Sequence, residues 1–301
     1  MKNKGDGWDV PKHIYMKGKD GQGIFYRTAD CVFFITLLST LVRKMPVQVL
    51  GFCLMFNHIH ILARFRDGGG QVQFLSALIR SFVIAYNEEY KRTGPLFLHS
   101  YGQAPKQTAK KVRSCIAYIN NNPVVGKQVA HAADYRWNLC AYRCSNHPYS
   151  RAIRLNSTRY PVRKAVAYID YLYSTGQAVT YGAMRQMISG TTSDERRSLI
   201  DRILFQYNCL DYSSWDRLFG SYENALKAME VNTGTEYDLM EDWEDYSVYR
   251  DMLQIARSSV LTHRRGIDSL TGEEIAYLVF RFQRELHAKE KQIRKFLHLT
   301  V

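Results

Sequence analysis

Leu54-Met55-Phe56-Asn57-His58-Ile59-His60-Ile61-Leu62 decides how the N-terminal half is read. The run is rich in Ile, Leu and Phe, and from His58 to Ile61 polar and apolar residues alternate. This is the signature of a β-strand, and a period of two puts His58 and His60 on one face. Two neutral imidazoles side by side can hold one metal ion. A polar ring taken out of water needs a partner, so the pair points to function rather than packing. A solvated sheet face would satisfy the same spacing, and the rest of the chain has to decide between the two.

Working outward, residues 47–55 and 58–66 read as two strands joined through Phe56-Asn57, with Gly68-Gly69-Gly70 as the next break. Upstream, 13–17 reads as a first strand, and 29–44 suits a helix with Thr28 as N-cap and Pro46 just past its end. Downstream, 72–91 carries Leu75, Leu78, Ile79, Phe82 and Ala85 on one helical face, and Thr93-Gly94-Pro95 stops it. A short fourth strand is expected over 96–101. A third helix is expected over 107–121, ended by Pro123. The order β-α-β-β-α-β plus one helix predicts an α+β fold, a ferredoxin-like split βαβ sandwich with helices on one face of an antiparallel sheet.

Beyond about residue 150 only helical patterns remain, at 162–173, 181–188, 194–207, 222–229, 247–256 and 272–287, the last with Thr271 and Glu274 spaced as a capping box. The expected division is 1–150, carrying the chemistry, and 151–301, an all-α domain whose expected role is regulation, partner contact or dimer support on one side, or DNA binding on the other. Six of ten residues are acidic over 236–245, which reads as a solvated loop or helix face.

The chain has 301 residues and a formal charge of +13, and the charge is unevenly placed. Residues 1–150 hold 20 Lys plus Arg against 8 Asp plus Glu, whereas 151–301 hold 21 against 20. A positive field around the histidine pair attracts phosphate backbones, so nucleic acid is the expected partner. Aromatic rings lie among the charges, as in Tyr15-Met16-Lys17, Phe25-Tyr26-Arg27 and Arg64-Phe65-Arg66, and unpaired bases stack on such rings. No run of about 18 apolar residues offers a membrane span, and the first residues lack the apolar core of a secretory signal, so a cytoplasmic location is expected. The six cysteines have no scaffold-like spacing, which suits a reducing compartment. Cys140, Cys144 and His147 form a loose cluster without a clear fourth zinc ligand.

In the third helix, Cys115-Ile116-Ala117-Tyr118-Ile119-Asn120-Asn121-Asn122-Pro123 places Tyr118 and Asn122 one turn apart on one face. This segment, with Tyr135-Arg136-Trp137-Asn138 after it, the run from Cys53 to Leu62, and His13-Ile14-Tyr15-Met16-Lys17-Gly18 near the start, resembles the single-tyrosine HUH transposases, in particular the REP-associated tyrosine transposases. The matching segments follow the family's order across about half of the chain. One departure is Phe56, where the family usually has Pro before the Asn-His pair, which changes the turn without removing a ligand. Phe219 to Leu226 and Asn232 to Asp238 resemble the extended members of the group. The closing segment from Leu286 to Leu297 resembles the first helix of a helix-turn-helix, whose recognition helix would then be missing.

The resemblance implies Tyr118 as nucleophile and His58, His60 and Asn122 as ligands of a divalent metal, Mg²⁺ or Mn²⁺. A phenol with a reference pKa of about 10 is mostly protonated near neutrality and needs an activated electrophile, which the metal would supply at the scissile phosphate. The implied products are a 5′-phosphotyrosine and a free 3′-OH, on single-stranded or hairpin DNA. Lys17, Arg64, Arg66, Lys106, Lys110, Lys111 and Arg113 suit a backbone-gripping role, or an ordinary solvated face. A homodimer fits the family, as does a monomer. Two other functions fit the same residues. One is a domesticated, non-catalytic DNA-binding regulator that keeps the fold, and the other is a replication or plasmid-mobilising HUH endonuclease.

Overall fold

A computed structural model describes residues 7–66, 70–98, 101–230, 247–261, 267 and 270–299. The acidic run at 236–245, the motif at 232–238 and most of the glycine break at 68–70 lie outside the described residues. Strands β1 (Lys12–Lys17), β2 (Val47–Leu54), β3 (His58–Phe65) and β4 (Gly102–Pro105) form one antiparallel sheet in the order β2-β3-β1-β4. Helices α1 (Thr28–Lys44) and α2 (Gly70–Tyr90) connect β1 to β2 and β3 to β4. The α+β split βαβ sheet is therefore the observed fold, with a helical region after it.

Strand alternation sorts the core into two layers. Register pairs Ile14 with Ile61 and Phe52 with Ile61, and this row lies under the two connecting helices. Phe34 of α1 stacks on Phe52 at 6.4 Å, and Phe74 of α2 meets Phe65 at 5.8 Å. The extra helix, α3 (Ala109–Val125), takes the opposite face, where Ile116 and Ile119 come close to Gly51 and Leu62.

Three boundaries differ from the expectation. β4 begins at Gly102 rather than at 96, because Gly102 pairs with Tyr15 and any Cβ there would fall inside the Tyr15 ring. Residues 96–98 instead bond the end of β1 through Lys19 N–H to Leu96 O (2.9 Å) and Leu98 N–H to Lys17 O (2.9 Å). Pro123 sits inside α3 rather than ending it, and the helix closes one residue past Val125 with Gly126 N–H on Asn122 O at 2.8 Å. At the start of α1, Arg27 rather than Thr28 is the cap, with its N–H on the Asp30 carboxylate at 2.6 Å.

The second half contains α4 (Tyr160–Ser174), α5 (Tyr181–Ile188), α6 (Ser193–Gln206), α7 (Tyr212–Phe219), α8 (Tyr222–Glu230), α9 (Ser247–Ser259), α10 (Gly272–Leu286) and α11 (Glu290–Leu297). The unexpected one, α7, is two turns long, started by Asp211 as N-cap and stopped by Gly220 at φ 81°. Among the described residues one apolar cluster runs through both halves. Trp215 donates its indole N–H to Leu50 O at 2.7 Å, and Asp211 N–H bonds Val49 O at 2.9 Å, so α7 is tied to β2. Phe56, in the β2–β3 turn, stacks between Tyr249 of α9 (5.3 Å) and Phe296 of α11 (5.8 Å). Among the described residues no helix is long and apolar enough to cross a membrane.

Candidate active site

The i, i+2 spacing on β3 brings the His58 and His60 rings to 4.8 Å on the face covered by α3. Each ring is held through its Nδ1. Asn57 donates its side-chain amide to Gly21 O at 3.2 Å, which turns its Oδ1 toward His58 Nδ1 at 2.9 Å. An amide oxygen only accepts, so the proton sits on His58 Nδ1 and the lone pair on Nε2. His60 Nδ1 lies 2.9 Å from His13 Nε2, on β1. Burial above all, then the neighbouring His60, Lys106 and His58, holds His13 well below the usual histidine range, so it is neutral near pH 7. Metal-binding histidines are typically held in this way, one ring nitrogen bonded to the protein and the other turned to the ligand.

From the other side, α3 presents Tyr118, whose ring centroid is 5.8 Å from His60 and 6.0 Å from His13, both edge-on at 72°. One turn later Asn122 donates its amide to Tyr118 O at 3.0 Å, and among the described residues its buried Oδ1 accepts no hydrogen bond. A buried carboxamide oxygen without a donor is costly, and a hard divalent cation would satisfy it. A carboxamide oxygen suits a hard cation and an imidazole pair a softer transition ion, so of the two metals that the resemblance implies Mn²⁺ fits these residues better than Mg²⁺. Among the described residues no group of three or more His, Cys, Asp or Glu side chains is placed to hold a metal.

The cluster is closed to solvent, with Tyr118 1% and His60 0% exposed. Two further members were not expected in this cluster. His13 shares a face with Tyr15 and Lys17 by strand alternation, and that period was the signal for it. Lys106, expected as a surface grip, is instead buried behind β4, with its N–H on Pro11 O at 2.7 Å and its charge felt by His13.

The other basic residues scatter. Lys17, half-buried, pairs in register with His58. The Arg64 guanidinium lies 5.2 Å from the Trp8 ring and bonds Gln48, while Arg66, exposed, lies 5.4 Å from the same ring. Lys110 and Lys111 are exposed on the first turn of α3, and Arg113 is half-buried. The cysteine cluster does not assemble. Cys140 is buried and donates its thiol to Asn120 Oδ1 (3.1 Å), Cys144 is exposed, and His147 Nδ1 meets Ser150 Oγ.

No family model and no curated protein matches the chain. Among solved structures it is similar to one described as the structure of a REP-associated tyrosine transposase bound to a REP hairpin, at a TM-score of 0.39 and 13% identity, over 46% of this chain and 82% of that one.

Proposed function

We propose that this chain is a transposase that cuts and rejoins single-stranded or hairpin DNA through Tyr118. The observation that carries the reading is the placement of that phenol ring against the His60–His13 pair, with Asn122 one turn along the same helix. The motif order along the chain and the +13 charge support it. In this reading residues 1–150 carry the chemistry and 151–301 brace it.

In the reaction, Tyr118 Oη forms a bond to the scissile phosphorus and the bond from phosphorus to the 3′-oxygen breaks. The phenol gives up its proton and the departing 3′-oxygen takes one. One phosphodiester replaces another, so the step reverses without ATP. Mg²⁺ or Mn²⁺ on His58, His60 and Asn122 would offset charge on a non-bridging phosphate oxygen. Asn57 and His13 hold the imidazoles in the required tautomer and orientation, and the Lys106 ammonium adds positive potential. Because Tyr118 is sealed in the structure described, the chain has to open before a phosphate reaches it.

That burial also favours a second reading, a DNA-binding regulator that keeps the polar cluster as part of its core. Incubation with single-stranded oligonucleotides and Mn²⁺, followed by a denaturing gel, separates the two. A covalent band that is absent in Tyr118→Phe is the expected result. Binding without an adduct in the native chain selects the regulator and overturns the transposase.

A further inference from the structure

The second half is nearly neutral as a whole, but its charge is segregated. Between positions 151 and 171 there are five Lys or Arg and one acid, Asp170, whereas 172–301 hold 16 Lys plus Arg against 19 Asp plus Glu. The basic stretch enters and forms α4. The inner face of that helix is Val162, Ala165, Val166, Ile169 and Leu172, all buried. Its outer face carries Tyr160, Lys164, Tyr168 and Tyr171, spaced four, four and three apart and therefore in one row.

Tyr160 and Tyr171 stand out from the core, whereas Tyr168 is half-buried and packed against it. Tyr160 is 67% and Tyr171 55% exposed, while most other large aromatic side chains of the protein are buried or half-buried. The Tyr168 and Tyr171 rings lie 6.3 Å apart and within 13° of parallel, so both turn their faces the same way. Exposed Arg154 precedes the row. Beyond it, Arg43 of α1 places its guanidinium 4.0 Å from the Tyr173 ring. The row from Tyr160 to Tyr171 is about 16 Å long, from the helical rise.

We infer that the outer face of α4 is a binding surface for single-stranded nucleic acid, separate from the Tyr118 cluster. Cations along the row attract a phosphate backbone, and exposed rings offer stacking to any base. A duplex keeps its base faces covered and cannot use the rings, so the surface selects single strands. Arg159, just before the row, is paired with Glu195, so Lys164 and the exposed Arg154 are the cations this face presents.

The test is fluorescence anisotropy of a labelled oligothymidylate and a duplex of equal length, on the full chain carrying Tyr118→Phe so that chemistry plays no part. The triple variant Tyr160→Ala, Tyr168→Ala and Tyr171→Ala should weaken single-strand binding roughly tenfold or more and leave the duplex unchanged. The corresponding triple Phe variant keeps the rings and should bind like the parent. Lys164→Gln should lower the slope of log K against log salt by about 0.7, one phosphate contact on a single strand. Unchanged oligothymidylate affinity in a folded triple Ala variant, or an equal loss on duplex, overturns the inference. A protein as the real occupant of this face would give the first of those results.

Discussion

Ile61 and His60 are neighbours on β3 and both are fully buried, yet they look into different chemistry. Ile61 faces Ile14 and Phe52 beneath α1. His60 faces His13 and Tyr118 beneath α3. An apolar side chain gains about 1.5–3 kcal/mol on burial, whereas a buried imidazole contributes only if its nitrogens are met. The sheet forgoes that gain at His13, His58 and His60 and keeps a polar layer sealed by a helix. Such a layer makes sense as machinery, with the apolar layer behind it supplying the stability.

The largest effect should come from the apolar layer. Phe52→Ala removes the ring stacked on Phe34 and should cost about 3–5 kcal/mol, read as a lower urea midpoint with an unchanged slope. A loss below about 1 kcal/mol would mean that this layer does not hold the fold.

The polar layer should respond differently to one substitution and to two. His60→Leu strands His13 Nε2 and should cost about 1–3 kcal/mol. Adding His13→Leu should recover most of that loss, because both polar partners are then gone, while any adduct formation stays abolished. Additive losses in the double variant would show that each ring stabilises the fold separately and not through their mutual hydrogen bond.

The smallest effect belongs to the rim. Burial would raise the Asp211 carboxyl, but hydrogen bonds from Ser213 and Ser214 and the charge of Arg217 outweigh it and hold the group below the usual carboxylate range. Its stabilisation is therefore complete above about pH 4 and lost as pH falls below that. Asp211→Ala should cost about 1 kcal/mol at neutral pH through the α7 cap, with a shallower fall in melting temperature below pH 4 than in the parent.

Much of the architecture was legible. Strands β1 to β3 and most helices follow from period and caps, and the rings of His58 and Tyr118 both lie beside His60. What was missed depends on contacts between distant segments. β4 is placed by the fit of Gly102 under Tyr15, which no local pattern encodes. α3 passes through Pro123 near its C-terminus, where Asn120 and Asn122 donate their amides to Ile116 O and Tyr118 O. α7 is no shorter than the expected α5, and what holds it in place is distant, the Trp215 indole bonded to Leu50 O. Lys106 reads as a surface residue until the strand beside it turns it inward.

Phe56 turns the substitution at the strand entry into a dependence between the two ends of the chain. Its ring is sandwiched by residues almost two hundred and more than two hundred positions away, and the residue after it is Asn57, which sets the His58 proton. Shortening the chain before Tyr249 would remove both parallel neighbours of that ring and leave it Tyr26, so deletions at the far end reach the turn that carries the histidine hairpin.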